Sequence, residues 1–427
     1  MKILINTFGT RGDIQPFVAL AQGLQARGHA AVICTAEGFR PFIEEHGVAY
    51  AHMDNALYTL MHEEESQALI EGKGNVVSLY KQVGPLMEQM MVDQWNAAQT
   101  FQPDLILFHP KSLASYHIAE KLNLPLAMAL PLPLYTPTSA YPSPLFINAA
   151  RLGGWFNRFT YHFVRLANVM YGGAINRFRR DLLGLPPQSR FADPARLWNG
   201  APLLILYPYS RHVLPVPPDY PPHVHVTGYW FLEQHGNWQP PASLLRFLEA
   251  GDPPVYVGFG SMSGTRGQER TRIVIAALQQ TGQRGILLSG WGGLTAEEQP
   301  EEILMMDNVP HEWLFPHTAA VVHHGGAGTT AAGLAAGKPT VICPFIADQP
   351  FWGHVVHELG VGPAPIPQKQ LTVEKLAAAI TTAVNDGEMK RRAAALGEKI
   401  RAEDGVATAI GVLESIYAQQ PQRTSTK

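Results

Sequence analysis

Short runs of apolar residues alternate with longer amphipathic segments through both halves of the chain. The short runs are typical of buried strands, and the amphipathic segments are typical of helices. Their alternation predicts an α/β fold in which parallel sheets carry helices on both faces. The strands are expected at residues 3–6, 30–35, 105–108, 126–130, 255–259, 285–289, 320–323 and 340–343, and the main helices at about residues 14–25, 112–122, 268–281, 329–336, 350–359 and 372–385.

The domain organisation follows from length and from one cluster of turn formers. At 427 residues the chain is long enough for two domains with full cores. Polar and turn-forming residues gather at EQHGNWQPP, residues 233–241, which predicts a boundary there. We expect an N-terminal domain over residues 1–235, a C-terminal domain over residues 236–395 and terminal helices over residues 396–427.

Composition narrows the class of protein. Hydrophobic residues make up 46% and charged residues 16% of the chain, which excludes wholesale disorder, and the net charge of −3 gives no general attraction for nucleic acid. Cys34 and Cys343 each lie in an apolar run, so we expect buried thiols in a reducing compartment. The first strand starts at Lys2, which leaves no room for a signal peptide, and no run of about 18 uncharged apolar residues occurs. These features predict a cytoplasmic protein.

The stretch AVVHHGGAGTTAAGLAAGKPTVICPFIADQPFWG, residues 320–353, has the pattern of an anion site. An apolar run ends at His323, a glycine turn follows, and a helix begins near Thr329. Free backbone N–H groups and the positive end of the helix dipole then point at one spot, which suits a phosphate. The next strand leads to Asp348 and Gln349, whose acid and amide groups suit the hydroxyls of a sugar. The pair of sites indicates a nucleotide-sugar.

Six motifs stand in one order along the chain: GTRGDIQPFVALAQGL, VTGYWFLE, PPVYVGFGSM, SGWGGL, VPHEWLFPHTAAVVHHGGAGTT and PFIADQPFWG. With them the chain resembles the family-one nucleotide-sugar glycosyltransferases, and within these the sterol glucosyltransferases and the bacterial enzymes that glycosylate natural products. The resemblance covers nearly the whole chain. It implies a GT-B fold, in which an N-terminal Rossmann-like domain binds the acceptor and a C-terminal one binds the nucleotide-sugar. It also implies that the last helix crosses back onto the first domain.

Asp13 follows the first strand through the turn at residues 9–12 and stands just before a helix whose first turn contains Pro16. On the residues alone, an aspartate at this place is typical of a helix cap. The resemblance instead implies a catalytic base, because the sterol and glycopeptide-antibiotic branches have aspartate where many plant relatives have histidine. A carboxylate accepts the proton late, once the attacking oxygen has become acidic.

The acceptor side of the predicted site is less defined. The plant relatives orient their histidine with an aspartate, whereas residues 105–110 here read LILFHP and contain no carboxylate. His109 either contacts Asp13 or the acceptor, or has a structural role. The segment PLPLYTPTSAYPSP, residues 131–144, is either a rigid packed loop or the lining of an acceptor pocket. The candidate acceptor residues are His109, Pro131, Tyr135, Tyr141 and Phe146.

The donor residues come from the resemblance and from strand-end positions. His323 is expected to bind one phosphate, and the turn that follows it the other, while Ser261 either reaches the diphosphate or forms a turn. No Asp-x-Asp sequence occurs, so we expect no metal bridging the diphosphate and no cofactor besides the nucleotide-sugar as co-substrate. The residues assigned to the diphosphate are His323, Ala327, Gly328, Thr329 and Ser261.

The nucleotide base should meet the backbone of Val309. Relatives often place a tryptophan just before this position, but the chain has Asn308. Trp291 is expected to cover the base instead, and Trp313 to pack inside. This departure leaves uridine and thymidine both open.

The stretch 151–180 lacks acidic residues and repeats arginine at Arg151, Arg158 and Arg165. This pattern fits an amphipathic helix packed on the first domain, with its arginines in water. It also fits a basic helix in weak contact with an anionic membrane, close to a lipophilic acceptor.

The predicted activity is inverting transfer of a hexose, with glucose favoured, from a UDP-sugar to a hydroxyl of a lipophilic acceptor such as a sterol, triterpenoid, polyketide or flavonoid. A nucleotide-sugar epimerase of the same fold is an alternative, against which the apolar segment 130–146 argues, since an epimerase has no acceptor pocket. A non-catalytic binder of nucleotide or lipid is a further alternative, although it needs no carboxylate at Asp13.

Overall fold

The computed structural model describes residues 1–62, 76–232, 238–259, 267–288, 300–307 and 309–419. The chain divides into two units. The N-terminal unit consists of Met1–Tyr209, Val216–Gly236 and Asp404–Lys427, and the C-terminal unit consists of Ser210–Pro215 and Asn237–Glu403. The chain therefore returns to the N-terminal unit at Asp404.

The N-terminal unit is built on a seven-stranded sheet in the order β3-β2-β1-β4-β5-β6-β7, with every pair of neighbours parallel. Its central strands are continuous apolar runs because helices cover both faces of the sheet. The sequence predicted β1, β2, β4 and β5 but none of the other three. The strands are β1 (Lys2–Asn6), β2 (Ala30–Ala36), β3 (Ala49–Met53), β4 (Leu105–Phe108), β5 (Leu126–Ala129), β6 (Leu204–Tyr207) and β7 (Val224–Val226).

The helices of this unit include two that the sequence predicted, α1 and α5. The last helix of the described chain, α15, packs against α1, and Glu414 on it forms ion pairs with Arg27 at 3.1 Å and His29 at 2.8 Å. The helices are α1 (Arg11–Ala26), α2 (Arg40–Glu45), α3 (Ala56–His62), α4 (Val76–Phe101), α5 (Ala114–Leu122), α6 (Gly154–Thr160), α7 (Arg165–Phe178) and α15 (Gly405–Ala418).

The C-terminal unit has a five-stranded parallel sheet in the order β10-β9-β8-β11-β12. Successive side chains of β8 enter two separate core clusters. Val255 and Val257 belong to one cluster, and Tyr256 belongs to the other. The two faces of a strand alternate in this way, so both faces of the sheet are covered. The strands are β8 (Val255–Gly258), β9 (Gly285–Leu288), β10 (Ile303–Met306), β11 (Ala320–His323) and β12 (Thr340–Ile342).

The helices of the C-terminal unit include all four that the sequence predicted there, with ends moved by a few residues. Together with the two parallel sheets they confirm the α/β fold class. The helices are α8 (Ala242–Glu249), α9 (Gly267–Thr281), α10 (His311–Leu314), α11 (Ala327–Ala335), α12 (Gln349–Glu358), α13 (Val373–Asn385) and α14 (Gly387–Arg401).

Each sheet contains one point at which the strand order reverses. In the N-terminal unit this point lies between β1 and β4, and in the C-terminal unit it lies between β8 and β11. Parallel α/β sheets bind ligands outside the carboxyl ends of the strands at such points. Ligands are therefore expected at the loops after β1 and β4 and at the loop after β11.

Two further expectations concern thiols and membrane spans. Cys34 and Cys343 are both free and buried, as predicted. Among the helices that the structure describes, none combines the length and the apolarity needed to cross a bilayer.

Candidate functional site

Asp13 lies in the first turn of α1 and is held there by the residues of the β1–α1 loop. Its Oδ2 accepts a hydrogen bond from the Thr10 backbone N–H at 2.8 Å, and its own N–H donates to the Thr10 carbonyl at 2.8 Å. Gly9 has a φ of +142°, and a Cβ on it would lie 2.1 Å from Oδ2. Only glycine leaves room for the carboxylate to fold back over this turn. The hydrogen bonds from Thr10 thus engage Oδ2 of Asp13 rather than Oδ1.

Two residues that follow β4 complete the surroundings of Asp13. The Lys111 Nζ lies 3.0 Å from both carboxylate oxygens, and the His109 Nε2 lies 3.6 Å from Oδ1. The contact arises because β4 pairs with β1, with Phe108 opposite Asn6, so the loops after the two strands start side by side. Sequence reasoning missed Lys111. The signal for it was a lysine three residues beyond a strand that ends at the same sheet edge as β1.

The charges at this cluster set the protonation states. Burial raises the pKa of the Asp13 carboxyl, but Lys111, His109 and the Thr10 N–H outweigh it and hold the pKa below its ordinary value of 3.8. Burial lowers the pKa of His109 to about 4, with Asp13 opposing and Lys111 assisting. The Lys111 N–H donates to His109 Nδ1 at 3.3 Å, so a neutral imidazole carries its proton on Nε2, towards Asp13. Near neutral pH the site therefore contains an ionised carboxylate whose side chain is 18% exposed.

The N-terminal unit contains a cavity of about 90 Å³. Phe108 and Pro110, the neighbours of His109, contribute to its wall together with Tyr135. The other four acceptor candidates, His109, Pro131, Tyr141 and Phe146, are not part of the wall. Of these, Tyr141 forms a hydrogen bond at 2.9 Å between its hydroxyl and that of Tyr220, and Phe146 packs edge-to-face on a neighbouring phenylalanine. The lining residues include Phe108, Pro110, Met128, Tyr135, Val164 and Ile175.

In the C-terminal unit, His323 ends β11 with its side chain fully buried. The Gly325 N–H donates to Nδ1 at 2.9 Å, so the ring proton is on Nε2. Burial, together with the imidazoles of His324 and His311, holds the pKa of His323 well below its ordinary value, so the ring is neutral. Nε2 is buried and has no hydrogen-bond partner among the described residues. An N–H donor in this state requires a ligand or water to accept from it.

The glycine turn after His323 leads directly into α11. Gly325 has a φ of +93°, and a Cβ on it would lie 2.7 Å from the Ile342 side chain, so the turn requires glycine. Gly326 precedes the helix without a side-chain cap. The first-turn N–H groups of Ala327, Gly328 and Thr329 thus have no intrahelical acceptor and lie at the positive end of the dipole. The arrangement is suited to an anion.

Asp348 and Gln349 lie where α12 begins, after β12. The Gln349 Oε1 accepts hydrogen bonds from the Phe345 N–H at 2.7 Å and from the Ile346 N–H at 3.3 Å. Ala347, which lies between Ile346 and Gln349 in the chain, has a φ of 60°, a left-handed conformation that non-glycine residues rarely adopt. Gln349 therefore braces a strained turn with its oxygen.

The structure describes only some of the residues that the sequence assigns to the nucleotide base and its surroundings. Val309 is 2% exposed and its side chain belongs to a core cluster of the C-terminal unit. Trp313 packs against the same cluster, as expected. Ser261 and Trp291 lie outside the described residues. Within the described ranges, no group of three or more His, Cys, Asp or Glu side chains has the arrangement of a metal site.

Comparison with known proteins gives the family. Residues 3–142 match the glycosyltransferase family 28 N-terminal domain, and residues 293–414 match the C-terminal domain of proteins like erythromycin biosynthesis protein CIII. A sterol 3-beta-glucosyltransferase of Arabidopsis thaliana is 37% identical over 420 residues, which cover 96% of this chain and 67% of the relative. The chain belongs to the family-one glycosyltransferases. A second Arabidopsis thaliana sterol 3-beta-glucosyltransferase is 37% identical over 424 residues, which cover 96% of this chain and 64% of that protein, so this glycosyltransferase spans about two thirds of the length of both.

Solved structures agree with the fold of this glycosyltransferase. The glycosyltransferase of kitacinnamycin has a TM-score of 0.71 and 19% identity, and the match covers 97% of this chain and 98% of that one. A Streptomyces sp. SF2575 glycosyltransferase in complex with thymidine diphosphate has a TM-score of 0.61 and 20% identity, with 97% and 99% of the chains covered. These likenesses confirm the GT-B fold.

Proposed function

We propose that this glycosyltransferase moves a hexose from a nucleoside diphosphate to a hydroxyl of a lipophilic acceptor. The observation that carries the proposal is the buried, unpartnered Nε2–H of His323 next to the uncapped N-terminus of α11. A departing diphosphate supplies the negative charge that both donors need. Family membership supports the same reaction class.

In the proposed reaction, the acceptor oxygen attacks the anomeric carbon while the bond between that carbon and the diphosphate oxygen breaks. The acceptor proton passes to Asp13, and the configuration at the anomeric carbon inverts. Oδ1 is the oxygen better suited to receive the proton, because Oδ2 already accepts from the Thr10 N–H and hydroxyl at 2.8 and 3.3 Å. Lys111 and His109 keep Asp13 ionised until the proton is transferred.

The leaving diphosphate is stabilised in this proposal by neutral donors. His323 donates from Nε2, and Ala327, Gly328 and Thr329 donate their backbone N–H groups, with the Thr329 hydroxyl as a further donor. These donors are fixed before the substrate arrives, so no reorganisation is needed when charge develops. The Gln349 NH₂ group and Asp348 orient the sugar hydroxyls, and the backbone of Val309 meets the base.

The donor and acceptor are proposed from the named relatives. Two relatives are named sterol 3-beta-glucosyltransferases, which favours glucose and a sterol-like alcohol, and we propose UDP-glucose as the donor. A structural neighbour binds thymidine diphosphate, so thymidine donors belong in the test. The cavity, which Phe108, Met128, Val164 and Ile175 line in part, suits a lipophilic acceptor.

Release of nucleoside diphosphate that depends on an added alcohol tests the proposal. The assay should compare UDP-glucose, UDP-galactose and TDP-glucose with a sterol, a triterpenoid, a polyketide and a flavonoid. We expect release with at least one alcohol and a β-glycoside as product. Interconversion of the sugars without an alcohol would instead indicate an epimerase, and binding without either reaction would indicate a non-catalytic binder.

Weak contact of the stretch 151–180 with a membrane is part of the same proposal. Trp155 and Phe159 stack on each other and are 79% and 55% exposed, and Phe163 is 50% exposed, so these rings are not used in the core. Val164 and Ile175 of this stretch line the cavity, which links it to a lipophilic acceptor. Co-sedimentation with phosphatidylserine vesicles should fall when Trp155 and Phe159 are both changed to alanine. Unchanged sedimentation would contradict membrane contact.

The location proposed for the protein is the cytoplasm. This proposal is supported by Cys34 and Cys343, which are buried thiols without a disulfide, as is usual in a reducing compartment.

A further inference from the structure

The wall of the cavity in the N-terminal unit combines buried apolar side chains with an exposed cationic one. Phe108, Met128 and Ile175 line the cavity and are buried, whereas Arg190 lines it and is exposed. The proposed transfer reaction uses the apolar part of this wall and gives Arg190 no role. A ligand that fills the cavity meets both kinds of side chain.

The stem of Arg190 packs on α7 at a glycine. A Cβ on Gly172 would lie 2.7 Å from the Arg190 Cγ and 3.2 Å from its Cδ. Gly172 is buried, lines the cavity and lies inside the helix Arg165–Phe178, where glycine is less favourable than alanine. A glycine at this position therefore makes room for the Arg190 stem at the cavity.

The segment that carries Arg190 is held at its start by two side chains. The Arg179 Nε donates to the Pro186 carbonyl at 2.8 Å, and the Arg179 Nη1 lies 2.9 Å from Nδ1 of His117 on α5. The amide group of Asn176 bonds at both its ends to the backbone two residues before Arg190, at 3.1 and 2.8 Å. These contacts limit where the guanidinium group of Arg190 can lie.

The guanidinium group of Arg190 makes no hydrogen bond or ion pair within the part of the chain that the structure describes. Asp193 lines the same cavity but does not pair with it, and the Asp193 Oδ1 accepts from the Ala195 N–H at 3.0 Å. A planar cation with several donors, placed at a cavity without an acceptor, is suited to a carboxylate of the ligand. The other arginine side chains that are described in this unit each donate to a carboxylate, an amide oxygen or a backbone carbonyl, and they are Arg11, Arg27, Arg40, Arg158, Arg177, Arg179, Arg180 and Arg196.

We propose that the cavity binds a lipophilic alcohol that carries a carboxylate, and that Arg190 binds this carboxylate while the apolar wall holds the rest of the molecule. Two parallel N–H···O bonds from one guanidinium group match the geometry of a carboxylate. Arg190 then selects among lipophilic acceptors, and an acidic acceptor is preferred to a neutral one of the same shape. This inference rests on the proposed function and specifies its acceptor further.

Binding of matched acids and amides without a sugar donor tests the inference. The probes are ω-hydroxydodecanoic acid and a hydroxynaphthoic acid, each compared with its primary amide, which has the same shape but no charge. Isothermal titration at low ionic strength should show that at least one acid binds about fivefold to tenfold more tightly than its amide. The ratio should fall as salt is added, because an exposed ion pair is screened.

Arg190→Gln should bring the ratio of acid to amide affinity close to one. Arg190→Lys should keep part of the preference, because lysine retains the charge but not the planar pair of donors. Gly172→Ala should also lower the ratio although it keeps Arg190, since the new Cβ displaces the stem.

Arg180→Gln is the matched control. It removes the same charge from an exposed arginine that pairs with Asp181 and does not line the cavity, so the ratio should stay as in the wild type. Thermal unfolding of each variant checks that the fold is intact. Should Gly172→Ala not fold, the wild-type panel and the two Arg190 variants still decide the matter.

Three results would overturn the inference: no acid preferred to its amide by the wild type, a preference that survives unchanged in Arg190→Gln, or a preference that Arg180→Gln abolishes equally. Loss of sedimentation with phosphatidylserine vesicles in Arg190→Gln, together with equal wild-type affinities for acid and amide, would assign the cation to a membrane surface instead. None of these results bears on the proposed transfer reaction, which the release of nucleoside diphosphate measures with neutral alcohols. Conversely, an acid preference without any transfer would support the role of Arg190 while contradicting the proposed function.

Discussion

Lys111 places its ammonium group 3.0 Å from both carboxylate oxygens of Asp13, a residue 98 positions earlier in the chain. The ion pair makes Asp13 a weaker base, yet it guarantees that the carboxylate is ionised when substrate arrives. Half of the Lys111 side chain is exposed, so the pair is screened by solvent on one side. The balance between these effects leads to the first two predictions.

Asp13→Asn should preserve the fold and donor binding, because asparagine also accepts from the Thr10 N–H and is a good residue at a helix start. It should lose on the order of 10²–10⁴-fold in turnover, the usual contribution of a general base. Single-turnover rates, with titration of the free nucleotide as the control, measure both effects. Near-normal turnover would reduce Asp13 to a helix cap.

Lys111→Gln should move the acidic limb of kcat/KM to higher pH. Activity requires the ionised carboxylate and is lost as pH falls through the pKa of Asp13, which Lys111 helps to hold below 3.8. Without Lys111, the burial of Asp13, which raises the pKa, is opposed by fewer charges. Lys121→Gln, on the last turn of α5, is the matched control and should leave the limb in place. An unmoved limb in Lys111→Gln would show that the pair has no influence on the base.

His323→Ala should weaken binding of the free nucleoside diphosphate and of every sugar donor alike, by roughly 10- to 100-fold, as expected for one hydrogen bond to a charged group. Because the ring is neutral and its pKa lies well below 6.5, wild-type affinity should show no histidine titration between about pH 6 and 8. Titration calorimetry at several pH values checks both points. His317→Ala, at an exposed position after α10, is the control. A changed glucose-to-galactose ratio in His323→Ala would contradict its assignment to the phosphate.

Two variants of Gln349 separate its bracing of the turn from its proposed contact with the sugar. Gln349→Glu keeps the oxygen that accepts from Phe345 and Ile346 but removes the NH₂ donor, so it should change the ratio of glucose to galactose use by about tenfold with little effect on Tm. Gln349→Leu removes the brace as well and should cost about 1–3 kcal/mol of stability. If only the leucine variant differs from wild type, and only in Tm, Gln349 does not contact the sugar.

The sequence predicted most of the strands that are apolar runs and the helices with clear periodicity. It missed the edge strands β3 and β7, in which a histidine interrupts the apolar pattern, and the edge strand β10, although this strand is apolar. It also missed β6, the run Leu204–Tyr207, although this strand is apolar throughout. The sequence also did not show that Gln349 braces its own turn. Whether an amide oxygen faces a ligand or its own backbone depends on the conformation of the turn at Ala347.

The sequence by itself determined the local features of the site, namely the glycine turn after His323, a helix that begins shortly after this turn and the aspartate after β1. These arise from residues that are adjacent in the chain, and backbone sterics and capping decide them. Only the tertiary structure decided which distant side chains meet. Lys111 reaches Asp13 because β4 pairs with β1, and Arg179 reaches His117 across 62 residues. Strand order selects the partner of Asp13, and an apolar strand buries its faces equally well beside several neighbours, so its own sequence does not specify the neighbour.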